Sequence, residues 1–353
     1  MFNVPRFFAA IVVATSVNTT VTTAEQAPNK KLLGVVLAVG DIMQCNEFKP
    51  RAVATAKLIR DEVATLKDTA VRVVLLGDLA YPAGSEADFK CFADNWDSVV
   101  RSALKDPNRE ILPIVGNHEY VAPPKNAAEF FKHFANNAAI RDARERASEN
   151  DIKTGNFGYF ATRFPDTDGG WLLLGLNSHL PSESARSAQY GWLKQQLTSP
   201  TGQAARCVLA LWHDPVFSSG MHGHDGIPPD KAPIRKKKML HSYTLLYQSG
   251  ASVVLNGHDH NYEQFLPHNH DGKRADDGLR SFVVGTGGNY IPDENWKRWP
   301  NITDGPMEKK VDGFLRLDLY EDSYTWRFVP VPGTPISGER AGQGNCNKRK
   351  PLV

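Results

Sequence analysis

The sequence is short of several things, and each shortage narrows the choice. Only four of its 353 residues are cysteine (Cys45, Cys91, Cys207 and Cys346), and no two form a Cys-x-x-Cys pair. A thiolate cage of the structural-zinc kind is therefore disfavoured. Neither sign of charge dominates: 41 Lys and Arg stand against 39 Asp and Glu, a formal net charge of +2. The one dense basic run, Arg235 to Lys238, reads as a solvated loop, so no nucleic-acid partner is expected. Beyond the first residues no segment approaches the roughly 20 apolar residues that a membrane span needs. Linkers, internal repeats and low-complexity tracts are also missing. Residues 30–345 accordingly read as one domain, large but within the range of sheet-rich domains.

The amino-terminal stretch "MFNVPRFFAAIVVATSVNTTVTTAEQ" has the layout of a secretory leader. Arg6 is the positive residue, Phe7 to Val17 the apolar core, and Thr22-Thr23-Ala24 the small residues before a cleavage point. Residues 1–24 are thus expected to be a signal peptide, and the product to be secreted, periplasmic or otherwise extracytoplasmic. Export makes disulfides possible, and four cysteines allow three pairings that the sequence leaves open. Cys45 and Cys91 both follow strand ends and are one pair able to meet. Asn301-Ile302-Thr303 is a glycosylation sequon. Nothing in the chain marks an oligomeric state.

What the sequence does have is a repeated design. "LLGVVLAVGD" ends at Asp41, "VRVVLLGDLAY" at Asp78 and Tyr81, and "ILPIVGNHEY" at Asn117 and His118. "CVLALWHDP" ends at His213 and "SVVLNGHDH" at His258 and His260. Each is a run of Val, Leu and Ile without alternation, the pattern of a strand covered on both faces. Each then breaks into side chains able to bind a metal. "PRAVATAKLIRDEVATL" places Val53, Ala56, Ile59, Val63 and Leu66 on one helical face, and "SAQYGWLKQQLTS" and "SYTLLYQSG" read as shorter helices, with Gly250 as a C-cap. Strand and helix in alternation predict an α/β fold with its site at the carboxyl ends of the strands. "FGYFATRFPDTDGGWLLLGLNS" and "GFLRLDLYEDSYTWRFVPV" alternate instead. They predict hairpins turning at Asp166 to Gly170 and near Glu321-Asp322, and a second, more antiparallel sheet.

Oxygen and imidazole donors without thiolate suit Fe, Zn or Mn. Seven of them (Asp41, Asp78, Tyr81, Asn117, His213, His258 and His260) exceed what one catalytic ion uses, and two ions sharing Asp78 would use them well. The series Gly40-Asp41, Gly77-Asp78-x-x-Tyr81, Gly116-Asn117-His118-Glu119, Ala210-x-x-His213 and Gly257-His258-x-His260 resembles the calcineurin-like metallophosphoesterase superfamily. Within it the chain is most similar to the short, single-domain purple acid phosphatases. Met43 stands where many relatives carry a ligand histidine, and Tyr81 stands where this branch takes a tyrosine. The start "GDIMQC" departs from the Gly-Asp-x-Gly common in that branch but keeps the aspartate.

The resemblance implies a two-sheet β-sandwich flanked by helices and a pair of metal ions, Fe(III) with a divalent Fe, Zn or Mn. It implies that Asp41, Asp78, Tyr81 and His260 hold the first ion and Asp78, Asn117, His213 and His258 the second. It further implies hydrolysis of phosphate monoesters by hydroxide generated at the metal pair. His118 would assist the leaving group, and Asn117, His118 and His222 would contact a small phosphorylated substrate. A phosphodiesterase or nucleotidase on the same site, and a non-catalytic phosphate- or metal-binding protein, remain alternatives, with iron redox chemistry as a side activity. Asp259 is expected to face away from the ligands, where it would cap the turn or orient a histidine. His224, His241, His268 and His270 read as solvated, and no spacing assigns Asn177, Ser178 or His179 a role.

Overall fold

The continuous apolar runs do become strands, and the chain alternates them with helices. In the computed structural model the chain forms β1 (Gly34–Val39), β2 (Met43–Gln44), β3 (Val71–Leu76), β4 (Ala80–Tyr81) and β5 (Arg109–Ile114). There follow β6 (Phe160–Phe164), β7 (Trp171–Gly175), β8 (Val208–Leu211), β9 (Val253–Asn256) and β10 (Asn261–Gln264). The last are β11 (Arg280–Val284), β12 (Glu308–Lys309), β13 (Gly313–Leu319), β14 (Ser323–Pro330) and β15 (Ala341–Asn345). The structure describes residues 30–166, 169–180, 186–220, 238–289, 302–305, 308–334, 336 and 340–352. The expected leader (1–24), His222, His224 and the sequon residue Asn301 lie outside the described residues.

Two mixed sheets result, one in the order β15-β14-β13-β1-β3-β5 and the other in the order β12-β10-β11-β9-β8-β7-β6. Both have parallel centres: β1 pairs with β3 and β3 with β5, while β7, β8, β9 and β11 run parallel in the other sheet. Every residue of β1, β3, β8 and β9 is buried, as their unalternating Val and Leu require. The sheets face one another through Val36, Val74, Leu76, Leu112, Leu209, Leu211, Val253 and Leu255. The outer face of the first sheet is covered by the helix Lys49–Thr65, which buries Ala52, Ala56, Ile59 and Val63. The helices Ala188–Thr198 and Leu240–Ser249 cover the second through Leu193, Leu197, Tyr243 and Leu246. Gly250 caps the latter with φ 74°, a left-handed conformation that glycine adopts without a Cβ clash.

Both expected hairpins form, β6 with β7 and β13 with β14. They do not build an antiparallel sheet of their own. β13 joins β1, and β7 joins β8, so each hairpin extends one of the mixed sheets. A hairpin's own pattern sets its internal register and carries nothing about the third strand it will meet. The cysteines pair as Cys45–Cys91 and Cys207–Cys346.

Candidate metal centre

The seven residues expected to converge do so at the carboxyl edge of the two sheets, and the backbone explains how. Asp41, Asp78 and His258 take positive φ values of 60°, 52° and 75° as the chain leaves β1, β3 and β9. A left-handed residue at that point swings its side chain out of the pleat and across the sheet edge. Aspartate tolerates this conformation better than most residues. His258 is held in it by its own N–H, which donates to Asp41 Oδ2 at 2.8 Å. Glycine makes room beside them: a Cβ on Gly77 (φ 90°) would lie 2.6 Å from the His213 ring, and one on Gly257 would lie 2.8 Å from Asp41 Oδ2.

The donor atoms fall into two groups. Around the Tyr81 hydroxyl are Asp41 Oδ1 at 3.0 Å, Asp78 Oδ2 at 3.1 Å and His260 Nε2 at 3.1 Å. Around His213 Nε2 are Asn117 Oδ1 at 3.0 Å, Asp78 Oδ2 at 3.2 Å and His258 Nδ1 at 3.2 Å. Asp78 Oδ2 belongs to both. Ordinary hydrogen bonding cannot account for this crowding, since one phenol carries one proton and one imidazole nitrogen has one proton or one lone pair. Donors closing on a shared point, most of them buried, suit a bound cation. Oxygen and imidazole nitrogen are donors that Fe, Zn and Mn accept. The set therefore has the donors of a metal centre. Asp78, His213 and His258 alone bring ligand atoms within 4.8 Å of one another.

The charges agree. Burial opposes ionisation of Asp78, but His213, His118 and His258 outweigh it and hold its carboxyl below the usual carboxylate range. Burial likewise opposes charging of His213, and Asp78 above all overcomes it, raising the imidazole to about 10. The Tyr81 phenol is pushed well above its ordinary value by burial and by Asp41 and Asp78. The protein alone therefore keeps the phenol protonated, and a bound cation reverses that balance.

His118 sits differently. Its N–H donates to Asp78 Oδ1 at 2.8 Å, its Nδ1 faces the Pro82 carbonyl at 2.5 Å, and its ring packs on Tyr81 with centroids 4.3 Å apart. Nε2 is 3.9 Å from Asp78 Oδ2, and with 30% of its side chain exposed the ring is open to solvent, unlike His213 and Asp78. An incoming molecule can reach this imidazole.

Three further carboxylates support the ligand loops. The buried carboxylate of Glu119 accepts N–H bonds from Gly116 at 2.7 Å, Leu79 at 2.8 Å, Asp78 at 3.0 Å and Ala80 at 3.4 Å. It thereby locks two ligand loops together, and burial with Asp78 beside it raises its carboxyl to about 7. Asp214 reaches toward His258, with Oδ1 at 3.6 Å from Nε2, and accepts from Ser178 Oγ at 2.7 Å and Lys238 Nζ at 3.0 Å. Asp259 turns away from the donor atoms and accepts from Ser218 Oγ, tying down the segment that follows His213. One expectation is overturned. His268 is not solvated but fully buried, with Nε2 at 2.9 Å from the Tyr243 hydroxyl and Nδ1 at 2.8 Å from the Leu266 carbonyl. The residues that follow it in sequence are polar, and the packing of Phe217, Tyr243 and Phe265 against its ring encloses it.

Known proteins share this architecture. Purple acid phosphatase 18 of Arabidopsis thaliana is 33% identical over 104 residues, which are 29% of this chain and 22% of that protein. The structure of purple acid phosphatase PPD1 from yellow lupin (Lupinus luteus) superposes with a TM-score of 0.64 at 16% identity, covering 89% of this chain. This chain spans about half (54%) of the lupin protein's length. GAP50, the anchor in the inner membrane complex of Plasmodium, superposes with a TM-score of 0.57 at 12% identity over 91% of this chain and 90% of that one. At these identities the likeness to the two structures is one of fold. The family profile described as calcineurin-like phosphoesterase matches residues 34–262, well over half of the sequence, and the chain belongs to that family.

Proposed function

We propose that the chain is a dinuclear metal-dependent phosphatase that hydrolyses phosphate monoesters. The observation that carries this reading is the position of Asp78 Oδ2, 3.1 Å from the Tyr81 hydroxyl and 3.2 Å from His213 Nε2, shared between two donor groups. Asp41, Asp78, Tyr81 and His260 would hold the first ion, and Asp78, Asn117, His213 and His258 the second. Two carboxylates and a phenolate around the first site favour Fe(III), and the largely neutral donors of the second favour a divalent Fe, Zn or Mn. Such a pair supplies activation of water, whose pKa falls from ~15.7 towards ~7 on binding, and positive charge for the phosphoryl oxygens.

The chain's own groups supply the rest. Asp78 and Glu119 fix the distance between the ligand loops, so the donors keep their spacing when a substrate binds. His118, part-exposed and hydrogen-bonded through Nδ1–H to a carbonyl, would present Nε2 of its imidazolium form to a leaving-group oxygen and pass that proton to it, leaving the neutral ring, help that typically contributes ~10²–10⁴-fold. Asn117 and His222 would contact the phosphoryl group of a small substrate. Residues 30–345 would make up the catalytic domain. A cleaved leader over 1–24 and two disulfides fit an extracytoplasmic site of action. Among the described residues no helix is long and apolar enough to cross a membrane.

The test compares a nitrophenyl phosphate monoester with the bis-ester on metal-loaded protein, with metals counted by elemental analysis. Two ions per chain and preferred monoester turnover are expected. Preferred bis-ester turnover would replace the reading with a phosphodiesterase, and phosphate binding without turnover would replace it with a binding protein.

A further inference from the structure

We propose that His179 is a substrate-binding residue of this centre, donating a hydrogen bond to a phosphoryl oxygen on the side of Asn117 and His213. The inference rests on the phosphatase reading above. It starts from position. β7 runs beside β8 in parallel, with Gly175 opposite Leu211, and the Leu176 N–H continues the pairing to the Leu211 carbonyl at 2.8 Å. The residues just beyond, Asn177 to His179, therefore leave the sheet next to His213. Ser178 confirms the placement, since its Oγ donates to Asp214 Oδ2 at 2.7 Å and accepts from the Asp214 N–H at 3.1 Å.

The other flank is the ligand turn after β5. Tyr120, three residues after Asn117, stacks on the His179 ring with centroids 4.2 Å apart and planes 27° from parallel. Asn177 joins the two sides: its Oδ1 accepts the His179 N–H at 2.8 Å and its Nδ2 donates to the Tyr120 hydroxyl at 2.8 Å. Asn177 is itself held by Gln189, which accepts its N–H at 2.7 Å and donates to its carbonyl at 3.1 Å. His179 is thus clamped between the segments that carry Asn117 and His213. Its ring lies within reach of the charges of Lys238, Asp214, His213 and Asp78.

What the clamp holds is an unused hydrogen-bonding group. Among the described residues the His179 ring makes no hydrogen bond, and its Nδ1 is enclosed without a partner. Burial and the charge of Lys238 lower its pKa, which favours the neutral ring with one N–H to give. A ring needed only to cover Tyr120 would be as well served by phenylalanine, without an enclosed nitrogen to satisfy. A phosphoryl group between the two ligand segments would take its hydrogen bond from Nε2, the ring nitrogen that is not enclosed.

Two replacements separate binding from packing. His179→Phe keeps the stack on Tyr120 and removes the N–H; His179→Gln removes the ring and keeps an N–H. Inorganic phosphate is titrated calorimetrically into each metal-loaded protein, and kcat/KM for a phosphate monoester, thermal midpoint and metal content are measured alongside. The expected result is a loss of about tenfold or more in phosphate affinity and in kcat/KM for His179→Phe, the scale of a hydrogen bond to a charged group. Metal content should stay unchanged and the midpoint of His179→Phe should not fall, and His179→Gln should retain more of both constants than His179→Phe. If His179→Phe binds phosphate within twofold of the wild type, or the order of the two variants is reversed, the assignment is overturned while the phosphatase reading stands. A wild type that is metal-loaded yet neither binds phosphate nor hydrolyses an ester overturns both.

Discussion

Replacing Gly116 by alanine should disable the centre although Gly116 is itself no ligand. Its backbone is not strained, so the argument is one of space. A Cβ there would lie 2.3 Å from the Asp78 nitrogen, 2.3 Å from Asp78 Oδ1 and 3.0 Å from Asp78 Cγ. Bringing the two closest contacts out to even 3.0 Å, below which real Cβ atoms are essentially never found, moves the loops apart by about 0.7 Å or more. They cannot part freely. The Gly116 N–H and the Asp78 N–H both donate to Glu119 Oε2, at 2.7 and 3.0 Å, and the His118 N–H donates to Asp78 Oδ1 at 2.8 Å. The shared carboxylate therefore shifts, together with the position of His118. Overpacking of this kind costs about 1–3 kcal/mol of stability, and displacing a positioned catalytic group by about 1 Å can cost about 10²-fold in rate. Elemental analysis, urea denaturation and kcat/KM on a nitrophenyl monoester measure the three consequences. Gly191→Ala, in the helix Ala188–Thr198 where a Cβ meets nothing within 4 Å, is the control and should be neutral or stabilising by up to about 1 kcal/mol. If Gly116→Ala holds two ions per chain and keeps kcat/KM within threefold, the idea that Asp78 is fixed by loop contact is wrong.

Three other outcomes are expected. Glu119→Ala leaves the N–H groups of Gly116, Asp78 and Leu79 without their acceptor; at about 1–3 kcal/mol for each buried donor, denaturation should show a loss of about 3–9 kcal/mol, and a loss below 1 kcal/mol would mean that water replaces the carboxylate. Burial lowers the His268 imidazole from 6.5 to about 4, so its contribution is complete above the ordinary value and is lost as pH falls towards 4. Between pH 7 and pH 5 the wild type should lose about 2 kcal/mol that His268→Gln does not, and parallel stability curves for the two proteins would refute the shift. Tyr81→Phe removes the phenol oxygen from between Asp41 Oδ1 and Asp78 Oδ2. A violet charge-transfer band in the Fe(III)-loaded wild type should vanish in the variant, and a band that survives would exclude Tyr81 as a ligand.

The sequence by itself determined the strand ends and the donors that follow them. A run such as "VRVVLLGD" is unalternating because both faces of β3 are covered, and the break after it has to place Asp78 at an edge. Such signals are local: apolar runs, Gly-Asp breaks and the helical spacing of Ala56, Ile59 and Val63 each lie within one element. The tertiary structure decided whatever depends on partners remote in the chain. β13 lies beside β1 and fixes Leu319 opposite Gly34, and Cys207 meets Cys346 across 139 residues. Neither neighbourhood leaves a mark in the segments it joins. The same holds for Glu119, whose four N–H partners come from two loops, and for His268, enclosed by Phe217 and Tyr243. His179 is the clearest case, because a turn residue has no periodicity and what surrounds it is set by the register of β7 against β8 and by Tyr120. Pattern tells a side chain which element it occupies; only packing tells it what it will touch.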